Sequence, residues 1–131
     1  MPHISQLFFK SAVIWLLIGI AAGLQMAMSG NHSVIAAHAH INLLGWVTTA
    51  IFGGYYALNP AKASKRIAMV HYAVYMLGLV VMLPTLYLME RGNPQLEPIV
   101  GIGSIITLVG VLIFAVVLFS RESVAVQRAP A

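Results

Sequence analysis

The chain has 131 residues, 60% of them hydrophobic and only 8% charged, with a formal charge of +4. A water-soluble domain carries about 25% charged residues, and a chain this short cannot bury so much apolar surface in its own core, so a soluble globular fold is excluded. Cysteine is absent, which removes disulfides, thiolate metal sites and thiol nucleophiles, and the small positive excess reads as membrane orientation, with no nucleic-acid partner.

Four apolar segments follow in order, over residues 7–28, 34–58, 67–89 and 99–119. Each is near the ~20 residues that cross a hydrocarbon core of about 30 Å. Each must be helical, because its backbone groups meet no water there. Ser29-Gly30-Asn31, Asn59-Pro60 and Gly92-Asn93-Pro94 supply the turns. The first segment is longer than the apolar part of a signal peptide and has a weak positive start, so it reads as a span. The expected architecture is all-α: a multi-pass four-helix bundle in the lipid bilayer over residues 1–121, with a mobile tail over 122–131.

Charge sets the orientation. Lys10, Lys62, Lys65, Arg66, Arg121 and Arg128 fall on one side, and Arg91 alone on the other, beside Glu90 and Glu97. The positive-inside rule then puts both termini in the cytoplasm, as in the inner membrane of a bacterium.

The second segment carries the chemistry. His38, His40 and Asn42 stand inside its apolar run, where polar groups are costly and mark function by default. His38, Asn42, Gly45, Thr49 and Gly53 recur at spacings of four and three, as do His71, Tyr75, Gly78, Met82 and Thr85 in the third segment. Such stripes serve close helix packing; glycines beside a histidine can also clear room for a flat macrocycle. His40, two residues from His38, points away from it and serves either a subunit contact or an interface hydrogen bond.

A buried imidazole can ligate haem iron, help bind copper or zinc, or relay protons. Proton relays need a chain of intramembrane ionisable groups, and this chain has no Asp, with Glu90, Glu97 and Glu122 all at segment ends. A closed metal site needs three or four convergent donors. A haem needs one or two axial ligands and a large apolar pocket, which this composition suits best.

With a turn centred near Ala61, His38 and His71 differ in depth by about 20 Å, so they cannot share one iron within a chain. The residues level with His38 are then Met82 to Thr85, which leaves Met82, a residue of a second copy, or nothing as the sixth ligand. Arg91, His32 and Asn31 are the groups available to haem propionates, and His71 either binds a second haem or hydrogen-bonds at the interface.

Ala37-His38-Ala39, with Gly53-Gly54 fifteen and sixteen positions beyond the histidine, resembles the second helix of subunit I of the haem-copper oxidases. Gly54-Tyr55-Tyr56-Ala57-Leu58-Asn59-Pro60 is similar to the end of that helix in nitric oxide reductase large subunits. His38-Ala39-His40 with Leu43 and Gly45 resembles the His-Ala-His stretch of the NnrS membrane proteins. The resemblance implies that His38 is an axial ligand of a low-spin haem. The three-histidine copper site of those oxidases has no counterpart here, so a binuclear reductase is not implied.

The expected function is therefore a membrane-embedded cytochrome of b type, a homo-oligomer that transfers electrons to a redox partner or binds nitric oxide or oxygen. His38 ligates haem b, with His40 or Met82 as second ligand and Asn42, Gly45, Arg91 and His71 around the cofactor. The alternatives are a non-catalytic accessory subunit of a larger oxidase or reductase, and a copper-handling protein using His32, His38, His40, Met26 and Met28.

Overall fold

The computed structural model describes residues 1–122. The expected tail beyond Glu122 lies outside the described residues.

Four helices long and apolar enough to cross a membrane are present: α1 (His3–Ser29), α2 (Ile35–Leu58), α4 (Arg66–Glu90) and α5 (Glu97–Phe119), the last preceded by a single turn at Pro94–Leu96. A short helix α3 (Pro60–Ala63) joins α2 to α4. Helix α1 stops where Gly30 takes a left-handed φ of 68°, its N–H closing on the Met26 carbonyl at 3.0 Å. Helix α2 stops at Asn59, because Pro60 has no N–H to continue the ladder.

The helices form two antiparallel hairpins, α1–α2 and α4–α5, each packed more closely within itself than against the other. Ile14, Leu17, Ile51, Val80, Ile105 and Leu112 are all more than half exposed. In water this would be an aggregating surface; against lipid tails it costs nothing.

Both hairpins close on glycine. A Cβ placed on Gly78 would lie 2.6 Å from the Thr107 backbone N, one on Gly103 2.7 Å from Met82 N, and one on Gly110 2.8 Å from Tyr75 Cα. The polar and small stripe of α4 is thus a packing seam against α5. In the other hairpin a Cβ on Gly23 would meet the His38 ring at 2.9 Å, and one on Gly45 would meet Trp15 at 2.8 Å. The room cleared by these glycines is taken by neighbouring side chains and backbone, as close helix packing uses it.

Residues Ile41–Thr48 form a π-helical stretch inside α2, a feature that hydropathy does not signal. Its wider turns have a geometric consequence. In a pure α-helix a residue four positions on is rotated by about 40°, so every fourth residue drifts off one face. The π turns rotate it back. Ala37, Ile41, Gly45, Thr49 and Gly53 are all buried as one line, and His38, Asn42 and Trp46 form a half-buried line beside them. The single stripe expected from spacing is therefore two lines. The carbonyl of Leu44, inside the π stretch, accepts from Thr49 Oγ1 at 3.0 Å and from the Tyr75 hydroxyl of α4 at 2.8 Å. Tyr75→Phe is expected to destabilise the protein by about 1 kcal/mol and to speed amide exchange around Thr49, read by hydrogen–deuterium exchange in detergent.

Charged residues clamp the two hairpins together at opposite ends. Near the turns at 30–34 and 91–96, here termed the loop end, the Glu90 carboxylate accepts from Ala37 N–H at 3.0 Å. It caps the start of α2, where free N–H groups and the helix dipole favour an anion. At the opposite end, Lys62 Nζ donates to the Leu118 carbonyl at 3.1 Å, caps the finish of α5 and lies 5.7 Å from the Tyr55 ring centre. Glu90→Ala is expected to cost about 1 kcal/mol, seen as a lower midpoint in thermal unfolding followed by circular dichroism. Glu90→Gln, which keeps a carbonyl acceptor, is expected to cost less.

Candidate functional site

His38 sits on α2 where it faces the glycine edge of α1. Its Nδ1 is 2.8 Å from the Gly19 carbonyl oxygen. That oxygen only accepts, so Nδ1 carries the proton and Nε2 keeps a lone pair. The Asn42 amide nitrogen lies 3.3 Å from Nε2, one turn further along α2. The ring is half-buried on the flank of the α1–α2 seam. The first nitrogen is therefore pinned to backbone, as in metal-ligating histidines, and the second has the Asn42 amide as a neutral partner.

His40 repeats the arrangement on the exposed side of α2. Its Nδ1 lies 2.8 Å from the Ala36 carbonyl, one turn back, so its Nε2 also holds the lone pair, and the residue is exposed. The two rings diverge, as their spacing predicts. Neither converges with a third donor: among the described residues no group of three His, Asp or Glu side chains could share an ion. Of the thioethers considered for copper, Met26 is buried against Val34 and Ala37 while Met28 is exposed.

His71 occupies a different part of the molecule. It is fully buried, with Nδ1 3.0 Å from the Tyr56 hydroxyl and Nε2 without a hydrogen-bond partner among the described residues. Aromatic rings enclose it: Phe52 at 4.6 Å between centres, Phe8 at 5.1 Å and Phe114 at 5.3 Å. Phe8, Phe52, Tyr56, Tyr75 and Phe114 come from four different helices, so this cluster joins the hairpins. His71 is thus a fully buried member of the aromatic cluster that joins the hairpins.

Met82 does not meet His38. It is buried against α5, where its sulfur accepts from Ser104 Oγ at 3.1 Å. The depth expected for it was misplaced because α3 lies between the two long helices and moves their pairing along the chain. Tyr56 bonds His71 and Ala37 bonds Glu90. The same register sets His38 level with Met89, seven residues and about 10 Å from Met82. Gly45 is closed by Trp15. Arg91 is exposed at the loop end, one turn of chain beyond Tyr87.

A haem, the group implied by the resemblance of α2, was tested against these positions. The donor chemistry fits: His38 offers an anchored ring with a lone pair on Nε2. The three cavities described, lined by Trp15 and Pro84, by His3 and Pro60, and by Leu24 and Met28, do not include His38 in their walls.

Sequence reasoning missed Tyr56, Glu90, Lys62 and the phenylalanines of the His71 cluster as structural keystones. It also passed over Gln25, although a strongly polar side chain inside the run Ala21 to Met28 is a signal that could have been read. Comparison of the chain with family models, curated proteins and solved structures finds no match, so the residues of the α1–α2 flank are the basis for its assignment.

Proposed function

We propose that the chain is a membrane-embedded haem protein of b type, its termini in the cytoplasm, in which His38 is an axial ligand and the cofactor lies between copies of the chain. One observation carries the reading: near the loop end of α2, Nδ1 of His38 is fixed to the Gly19 carbonyl, and the residue is half-buried on the α1–α2 flank. The partner of Nε2 within the chain is the neutral Asn42 amide at 3.3 Å, and a ligand role would give that nitrogen a stronger one. The haem would supply one-electron redox chemistry, or diatomic gas binding if one axial position stays open. The chain's own part is to hold the ring in one tautomer, by the Gly19 carbonyl, and to keep water away with the surrounding apolar faces. His40, exposed with its own Nδ1 anchored, is the residue best suited to reach a neighbouring copy.

A second reading rests on the Asn42 amide, which already gives Nε2 a neutral partner at 3.3 Å. On that reading His38 is a polar staple between α1 and α2, and the chain is an accessory subunit that assembles with a larger membrane oxidase or reductase. The optical spectrum of detergent-purified protein, with and without dithionite and carbon monoxide, separates the two. A Soret band with reduced α and β bands is expected for the haem protein, and their absence after expression with ample haem refutes it.

A further inference from the structure

The α1–α4 side of the molecule holds a feature that the haem reading does not use. Helices α1 and α4 barely touch, and between them runs an apolar cavity of about 500 Å³. Trp15 and Ala22 form one wall, Leu83 and Pro84 the other, and Ile41 of the π stretch the floor. Gly45 fixes the Trp15 wall, since any larger residue there would strike that ring. The irregular segment of α2 therefore shapes this groove, and π stretches recur at functional sites.

The groove's polar groups are Gln25 and Tyr87, whose side chains hydrogen-bond to each other, the Tyr87 hydroxyl donating to Gln25 Oε1. The Gln25 amide N–H groups remain as donors. A shallower hollow of about 530 Å³ shares Ala21 and Gln25 and continues to Ser29 at the helix end. Helix α1 has 27 residues, about 40 Å, against a hydrocarbon core of about 30 Å. About 5 Å of it can project at each end, and Gln25 lies four residues from its finish. The Gln25–Tyr87 pair thus sits at the hydrocarbon boundary. Arg91 follows Tyr87 by four residues, on the same side of the helix line, and is exposed. The neighbouring carboxylate of Glu90 is turned away, engaged on Ala37 N–H.

Tail space, an amide donor at the boundary and a cation just above it match three parts of one molecule in the right order of depth. We infer that the α1–α4 groove is a binding site for an anionic phospholipid of the adjacent leaflet: one acyl chain against Trp15, Pro84 and Ile41, an ester carbonyl on the Gln25 amide, and the phosphate at Arg91. Neutral groove walls suit the chain, and charge complementarity at Arg91 favours an anionic headgroup over a zwitterionic one.

The chain has two tryptophans, so Trp46→Phe leaves Trp15 as sole reporter. Trp15 is 8% exposed, and bulk lipid should scarcely quench it. The protein is reconstituted in phosphatidylcholine vesicles containing increasing fractions of phosphatidylglycerol brominated on one acyl chain. Quenching is taken as the ratio to unbrominated vesicles of the same composition, which cancels any contribution from haem and makes the result independent of the haem reading. The expected result is saturation at a low fraction of brominated lipid, with about a fivefold preference over brominated phosphatidylcholine. Arg91→Gln should reduce that preference to about one, and Ala21→Leu, an enlargement at an exposed wall position, should reduce the quenching itself. Quenching that merely follows mole fraction with no headgroup preference overturns the inference, as does quenching unchanged by Ala21→Leu. Trp15 that stays unquenched also overturns it, since the groove is then closed, as it would be by a second copy of the chain.

Discussion

His38→Ala protein is expected to purify without a Soret band, while His71→Phe protein keeps one of full intensity. The alanine removes the lone-pair nitrogen on the α1–α2 flank. The phenylalanine changes only the aromatic cluster that joins the hairpins, where one nitrogen of His71 has no hydrogen-bond partner among the described residues. Because His38→Ala also removes the hydrogen bond to the Gly19 carbonyl, about 0.5–1.5 kcal/mol of stability goes with it. His38→Gln is the control, since its amide can still donate to that carbonyl while offering no imidazole. Helical content matching the parent, together with a lost Soret band in His38→Gln, assigns the loss to ligation. A band of undiminished intensity in both variants refutes the ligand role. Asn42→Leu discriminates further. If Nε2 binds iron, removing the amide that competes for it leaves the spectrum in place. If His38 is a staple, the same change costs about 1 kcal/mol and no spectrum exists to be lost.

The second large effect concerns the α4–α5 hairpin. Gly103→Leu is expected to abolish the folded state in mild detergent, and Gly103→Ala to lower stability by about 2 kcal/mol. The new Cβ meets the Met82 backbone at 2.7 Å, and backbone cannot swing aside as a flexible side chain can. Gly78→Ala behaves alike, against Thr107 N at 2.6 Å. The double variant should cost less than the sum, because one outward shift of α5 relieves both contacts. Gly54 and Gly101 have no atom within 4 Å of an added Cβ. Their alanine variants should be stabilised by about 0.5–1 kcal/mol through lower unfolded-state entropy. Midpoints of unfolding in mixed detergent micelles provide the comparison, and equal losses at Gly54 and Gly103 would refute the seam.

The His38 environment is partly legible in the sequence. An imidazole, an amide and glycines within one apolar run single out α2, because burying polar groups in lipid carries a penalty that only a partner or a function offsets. The identity of the partners is not legible there. Gly19 lies on another helix, and its carbonyl is one of many equivalent backbone groups until α1 and α2 are set in register. Met82 shows the same limit: its depth depends on how many residues the turn consumes. The four-residue helix that begins at Pro60 consumes more than a plain turn would.

Hydropathy, turn residues and the glycine repeats by themselves determined four membrane-length helices and two close-packed seams, because solvent exclusion and backbone approach depend on composition and spacing alone. Tertiary structure decided the rest. The π stretch of α2 exists where Tyr75 and Thr49 answer the Leu44 carbonyl, and it divides one apparent stripe into a buried line and a half-exposed line carrying His38 and Asn42. Which backbone carbonyl pins Nδ1 of His38, and which carboxylate caps which helix, are properties of contacts between segments far apart in the chain. No local pattern encodes them.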